Sequence, residues 1–126
     1  MRIGLSPDCG GSFFLPRAVG EKLAAELFMT GSTIDAARAE RIGMINRIVS
    51  AESLMEEALQ MAKKLALAPT ASIGRIKQML NATFSNDLPQ QLALEHKLQI
   101  ESGKSNDFKE GVQAFFEKRQ PNFTGT

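Results

Sequence analysis

The sequence predicts a mainly α chain, with five to six helices and at most one or two short strands, on three observations. From Ser50 onward, apolar residues recur every three to four positions, the spacing of a helix face. Breakers such as Pro69 and the Ser102-Gly103 pair cut those stretches into helical lengths. Only residues 44–49 carry a β signal, and one strand cannot make a sheet.

Taken in chain order, a helix is expected over residues 21–28 and a short one over 35–41, stopped by Gly43. The strand-like 44–49 follows, and any sheet partner for it must come from another chain or another segment. Leu54, Ala58, Met61, Ala62 and Leu65 then form one apolar stripe, with Ser53 and Glu56 suited to a capping box at its start. Pro69 ends that helix. Thr70 is placed to cap the next, whose apolar positions are Ile73, Ile76, Leu80 and Phe84. Asn86 and Asp87 mark a turn, and Leu88, Leu92, Glu95 and Leu98 suggest another helix. A last helix opens at Ser105 with Phe108, Val112, Phe115 and Phe116 on one face, before Pro121 and a glycine-containing tail. At the other end, Met1-Arg2-Ile3-Gly4-Leu5 runs almost directly into a Pro-Asp-x-Gly-Gly turn, so the chain reads as a domain entered in its middle. Internal repeats and low-complexity stretches are absent.

The bulk numbers narrow the functional classes. Its 126 residues suit one domain, which at this size buries about two thirds of its unfolded surface. Fifteen Lys+Arg against fourteen Asp+Glu give a net charge of +1, no field for a polyanion, so nucleic acid is not an expected partner. No apolar run nears the roughly 20 residues of a membrane span and no signal segment opens the sequence, which makes a cytoplasmic address the expectation and a membrane no partner. Cys9 is the single cysteine and His96 the single histidine, so neither an internal disulfide nor a metal site is expected.

The chemistry enters through an ordered series of short pieces. Ile3-Gly4-Leu5-Ser6-Pro7-Asp8-Cys9-Gly10-Gly11, then Leu15-Pro16-Arg17 and Val19-Gly20, resembles the segment just after the central active-site strand of the enoyl-CoA hydratase/isomerase, or crotonase, family. Met29-Thr30-Gly31, Ala36, Ala39 and Gly43-Met44-Ile45-Asn46-Arg47-Ile48-Val49 continue the match in register. Lys77, Glu95 and the run from Asp107 through Arg119 to Pro121 and Phe123 carry it to the end. The Pro7-Asp8-Cys9-Gly10-Gly11 wording and the Phe123-Thr124-Gly125 ending look most like the phenylacetate-pathway isomerases, which act on ring-epoxide and enoyl-CoA thioesters.

The resemblance implies the C-terminal part of an α/β crotonase-like fold, whose N-terminal part is a ββα spiral that holds coenzyme A. Residues 1–50 correspond to the end of the spiral core with its active-site turn, and 51–126 to a helical region that covers the site and assembles trimers or dimers of trimers. It further implies an acyl-CoA thioester as substrate and no other cofactor. Two absences follow: the family's two oxyanion-hole N–H donors and both hydratase glutamates lie before the matched residues, so the isolated chain is expected to be inactive.

Two site residues carry over. Typical hydratases have glycine at the position of Asp8, whereas family isomerases and dehalogenases place an aspartate there as base or nucleophile. Asp8 is thus the catalytic candidate, moving a proton that the thioester acidifies. Asp before Gly10-Gly11-Ser12 is also good turn and helix-start chemistry, so a capping role stands beside the catalytic one. Lys118 matches a lysine that approaches the 3′-phosphate of CoA, and the alternative is a solvated helix face shared with Glu117 and Arg119. Gly10 and Gly11 are read as close backbone packing, Cys9 as a small packing residue, and Phe108, Phe115 and Phe116 as core or subunit contact; His96 receives no role. The rival to the enzyme is a non-catalytic helical oligomerisation fragment or a degenerate paralogue.

Overall fold

The computed structural model describes residues 4–126, so Met1, Arg2 and Ile3 of the N-terminal reading lie outside the described residues. The chain divides into two compact units, Met1–Leu54 and Met55–Thr126. Seven helices and no strand are found among the described residues. The helical class matches the sequence expectation, and the additional helix is the first.

In the N-terminal unit, α1 (Gly11–Val19) starts from Gly10, which sits in the left-handed region at φ 80° and accepts the Phe13 and Phe14 amides at 2.9 Å. A Cβ on Gly10 would meet the exposed Phe14 ring at 2.9 Å, which could swing away, so the backbone conformation is what calls for glycine here. Gly11 differs, because a Cβ there would make only ordinary contact. The sequence conceals α1: two glycines begin it, and Pro16 lies inside it without an amide to donate. Gly20 ends α1 by donating to the Pro16 carbonyl at 2.9 Å and leads into α2 (Glu21–Thr30), which Gly31 closes in a left-handed turn. α1 packs on α2, and Ala24 and Leu27 of α2 are buried.

α3 (Ala36–Arg41) begins where the Asp35 carboxylate accepts the Arg38 amide at 2.7 Å, and its Ala39 is buried. The strand expected over 44–49 does not form. Its first amide, Met44, donates to the Ala39 carbonyl at 2.9 Å, and the Ile48 amide donates to the Glu40 carboxylate at 2.9 Å. With helix-end and side-chain partners at both positions, the segment stays irregular.

The C-terminal unit holds α4 (Leu54–Ala66, beginning at the boundary), α5 (Thr70–Ala82), α6 (Leu88–Gly103) and α7 (Asn106–Glu117). α6 is the centre: α5 and α7 both pack against it, with Leu98 and Ala114 buried. Two expected caps are rearranged. Ser53 turns its hydroxyl to that of Ser50 at 2.8 Å while Glu56 accepts from Gln60 at 3.2 Å, in place of a reciprocal box. Thr70 is the first helical residue, and the cap position is Pro69, which has no side-chain oxygen to offer. The full capping box sits instead at α6, where Asp87 accepts the Gln90 amide at 2.8 Å and the Gln90 side chain accepts the Asp87 amide at 2.9 Å. Ser105 caps α7 as expected, accepting from the Phe108 amide at 3.0 Å.

After α7 the tail folds back along it. Asp107 is only 3% exposed, and its carboxylate accepts the Thr124 and Gly125 amides at 2.7 and 2.9 Å. The Asp107 amide donates to the Thr126 carbonyl at 3.0 Å, so tail and helix start satisfy each other's backbone groups. Gly125, at φ 80°, lies so close to Thr70 Oγ1 that no side chain fits there.

Candidate functional site

Asp8 lies in the turn that feeds α1. Its carbonyl accepts the Gly11 amide at 2.8 Å, which fixes the turn through the backbone and leaves the side chain exposed. The cap of α1 is Gly10, without a side-chain hydrogen bond, and the described residues give the Asp8 carboxylate no hydrogen-bond partner. Side-chain capping, weighed for Asp8, is therefore not observed, while its place in the turn is. Asp8 instead borders a recess of about 360 Å³ with Leu5, Ser6, Pro7, Gly11, Leu27, Phe28 and Gly31 on its walls, a lining of mixed polar and apolar surface. Cys9, next to it, adopts φ 49° and is exposed, a correction to its reading as a packing residue. Phe13 and Phe14 stack edge to face at 5.2 Å, and the Arg17 guanidinium lies 3.6 Å over the Phe13 ring.

Lys118 belongs to the other unit. It ends α7 at φ 54°, ψ 38°, a left-handed conformation that costs a residue with a Cβ about 1–2 kcal/mol and that helix ends usually give to glycine. Its amide donates to the Phe115 carbonyl at 3.3 Å, and that of Arg119 to the Ala114 carbonyl at 3.1 Å. The Arg119 side chain is fully engaged. Nη1 and Nη2 bind the two oxygens of Glu110 at 2.6 and 3.0 Å, and Nε binds Glu117 at 2.6 Å. Arg119, with the Asn122 amide at 2.7 Å, holds the Glu110 carboxyl down at about 2, and the Gln113 amide followed by Arg119 lowers that of Glu117. The two carboxylates raise Arg119 in return. Lys118 makes no ion pair among the described residues, so the shared charged face weighed for it resolves into a clamp on its neighbours and a lysine left over.

The aromatic residues of α7 are not core. Phe115 and Phe116 are 79% and 78% exposed, and with Phe108, Val112 and Phe123 they border an apolar hollow of about 500 Å³. A second cleft, of about 640 Å³ between α5 and α6, contains His96, Glu95 and Arg75, whose Nη1 is buried without an acceptor and whose Nε lies 3.8 Å from Glu101. Glu95 in its lining, with Glu101 beside Arg75, cancels the positive charge an anion site would need. No three His, Cys, Asp or Glu side chains among the described residues converge as metal ligands would. In the sequence, Glu110 stands only within the matched run from Asp107 to Arg119, and Arg119 only as a member of a solvated face. Their pairing spans nine residues and a helix end, beyond any local pattern.

The family profile of enoyl-CoA hydratase/isomerase matches residues 1–126. The chain belongs to the enoyl-CoA hydratase/isomerase family. Among its curated relatives is the 1,2-epoxyphenylacetyl-CoA isomerase of Escherichia coli K12, 44% identical over 124 residues, covering 98% of this chain and 47% of that protein. A probable enoyl-CoA hydratase of Rhodobacter capsulatus is 46% identical over the same share of this chain and 48% of its own. A solved enoyl-CoA hydratase/isomerase structure from Mycobacterium abscessus superposes on 99% of the chain and 48% of its own with a TM-score of 0.96 at 34% identity. The chain thus spans about half the length of the curated relatives it matches, and its helices are those of the enoyl-CoA hydratase/isomerase fold.

Proposed function

We propose that these residues form the C-terminal portion of an acyl-CoA enzyme that moves a proton on a CoA thioester, isomerising a double bond or hydrating it, in fatty-acid or phenylacetate breakdown. The observation that carries this reading is the Asp8 carboxylate, exposed at the edge of a recess and without a hydrogen bond from the described residues. A base has to be uncommitted before it takes a proton. The thioester acidifies a neighbouring C–H, the carboxylate accepts that proton, and its return at another carbon shifts the double bond. Lys118 serves as the cation for the 3′-phosphate of CoA, a role supported by a lysine kept where backbone strain favours glycine.

The enolate formed on the way needs two N–H donors at the thioester oxygen, which the family's other half supplies, so we assign catalysis to the full-length protein. Domain roles follow: residues 1–50 close the active-site turn, and 51–126 cover it and assemble the oligomer, most simply a trimer. The exposed apolar faces of α4 and α7 support that assembly role. We assign the protein to the cytoplasm; no helix among the described residues is long and apolar enough to cross a membrane.

The test is Asp8→Asn in the full-length protein. The amide keeps the shape and loses the base, so isomerisation falls by about 10²–10⁴ while acyl-CoA affinity stays near wild type. A variant isomerising at the wild-type rate removes Asp8 from the chemistry.

A further inference from the structure

We propose that Arg119 is a positioning residue for anion recognition, because its guanidinium fork takes up the carboxylates of Glu110 and Glu117 on α7 and so leaves Lys118 free to meet an external phosphate. The inference rests on the reading of Lys118 given above and extends it to a residue with a different task.

Three carboxylate oxygens and three guanidinium nitrogens meet within 2.6–3.0 Å at this helix end. Glu117 immediately precedes Lys118, and Glu110 stands two turns earlier on the same helix. Without Arg119, either carboxylate offers an ammonium an intramolecular partner, at an effective concentration no dilute ligand matches. A guanidinium is the group that prevents this, since its planar fork binds one carboxylate with two nitrogens and still presents Nε to a second. Lysine has no such fork. The same clamp fixes the backbone on both sides of Lys118. Glu110 also accepts the Asn122 amide at 2.7 Å, and the Arg119 amide is tied to Ala114 at 3.1 Å, so the left-handed turn is held from before and after. Downstream, Asp107 grips Thr124 and Gly125 and anchors the far end of the same tail.

The experiment compares, in the full-length protein, an enoyl-CoA substrate with the same thioester of 3′-dephospho-coenzyme A. Wild type prefers the phosphorylated ester by about tenfold in kcat/KM, the worth of one charge-assisted contact. Lys118→Ala brings the ratio near one. Arg119→Gln lowers the ratio at least threefold by raising KM for the phosphorylated ester, with kcat and the dephospho KM unchanged. Arg119→Lys, which keeps the charge and loses the fork, falls between. A wild-type ratio in Arg119→Gln, with Lys118→Ala still abolishing it, overturns the positioning role and spares the lysine. A wild-type ratio in Lys118→Ala overturns both. Equal losses on the two esters in Arg119→Gln make the arginine a purely structural brace and also overturn the proposal. If Arg119→Gln does not fold, Arg119→Lys decides, because an undiminished ratio there shows that the fork is dispensable.

Discussion

Lys118 shows how one residue's backbone and side chain make opposite demands. Its left-handed φ of 54° favours glycine, so Lys118→Gly should leave the fold unchanged or stabilise it by up to about 1 kcal/mol in thermal denaturation. The same variant should weaken binding of 3′-phosphorylated acyl-CoA, which titration calorimetry reads directly. A gain in stability with no loss of affinity removes the functional reason for the lysine. Glu110 has a pH signature. Its folded-state carboxyl is held at about 2 against an ordinary 4.5, so its contribution is complete above pH 4.5 and disappears as pH falls toward 2. Wild type should therefore lose its stability advantage over Glu110→Gln across that window, and a gap constant with pH counts against the clamp. At this scale the sequence names candidates by motif and leaves their contacts unread. The Asp8 and Lys118 positions came from matched motifs, but the engagement of Arg119 depends on a chain reversal that no spacing rule contains.

Helices were more legible than single contacts, because apolar residues repeated every three to four positions report a buried stripe wherever a helix packs. That is why the four helices from α4 onward were anticipated, while α2 and α3 were expected from a stretch of mixed signals that Gly43 closes. α1 escaped because glycine-glycine and proline read as turn signals, and 44–49 misled because β-branched residues describe a side-chain preference while strand formation needs backbone partners. The capping oxygens give a paired prediction. Asp87→Ala removes an observed box and should cost about 1 kcal/mol, whereas Ser53→Ala breaks only a hydroxyl pair with Ser50 and should cost less than half as much. Chemical denaturation of the two variants side by side checks the order, and a reversed order refutes the cap assignments. Asp107→Ala is more severe. It removes a buried carboxylate and the acceptor of the part-buried Thr124 and Gly125 amides and should cost about 1–3 kcal/mol, with the tail opening to limited proteolysis before the helices do.

For the whole molecule, the buried apolar residues among those described are three alanines with Leu27 and Leu98, while many large apolar side chains line the outside of the helices. α4 is the extreme case. It buries no residue, and Leu54, Met55, Leu59 and Leu65 are all exposed along it. Such faces look for cover, so the 126 residues expressed alone should self-associate, and a stable 13.7 kDa monomer in sedimentation at high concentration argues against that. The same polypeptide should turn over enoyl-CoA negligibly, since losing even one oxyanion donor costs about 10²–10³ in rate, and brisk turnover overturns the assignment of catalysis to the full-length protein.

The uncovered face of α4 also bears on mass action. Where a second copy supplies the cover, part of the free energy that holds the fold is translational and belongs to the solution as much as to the chain. Each tenfold dilution then subtracts about 1.4 kcal/mol per association step, so the melting temperature becomes a function of how much protein is in the tube.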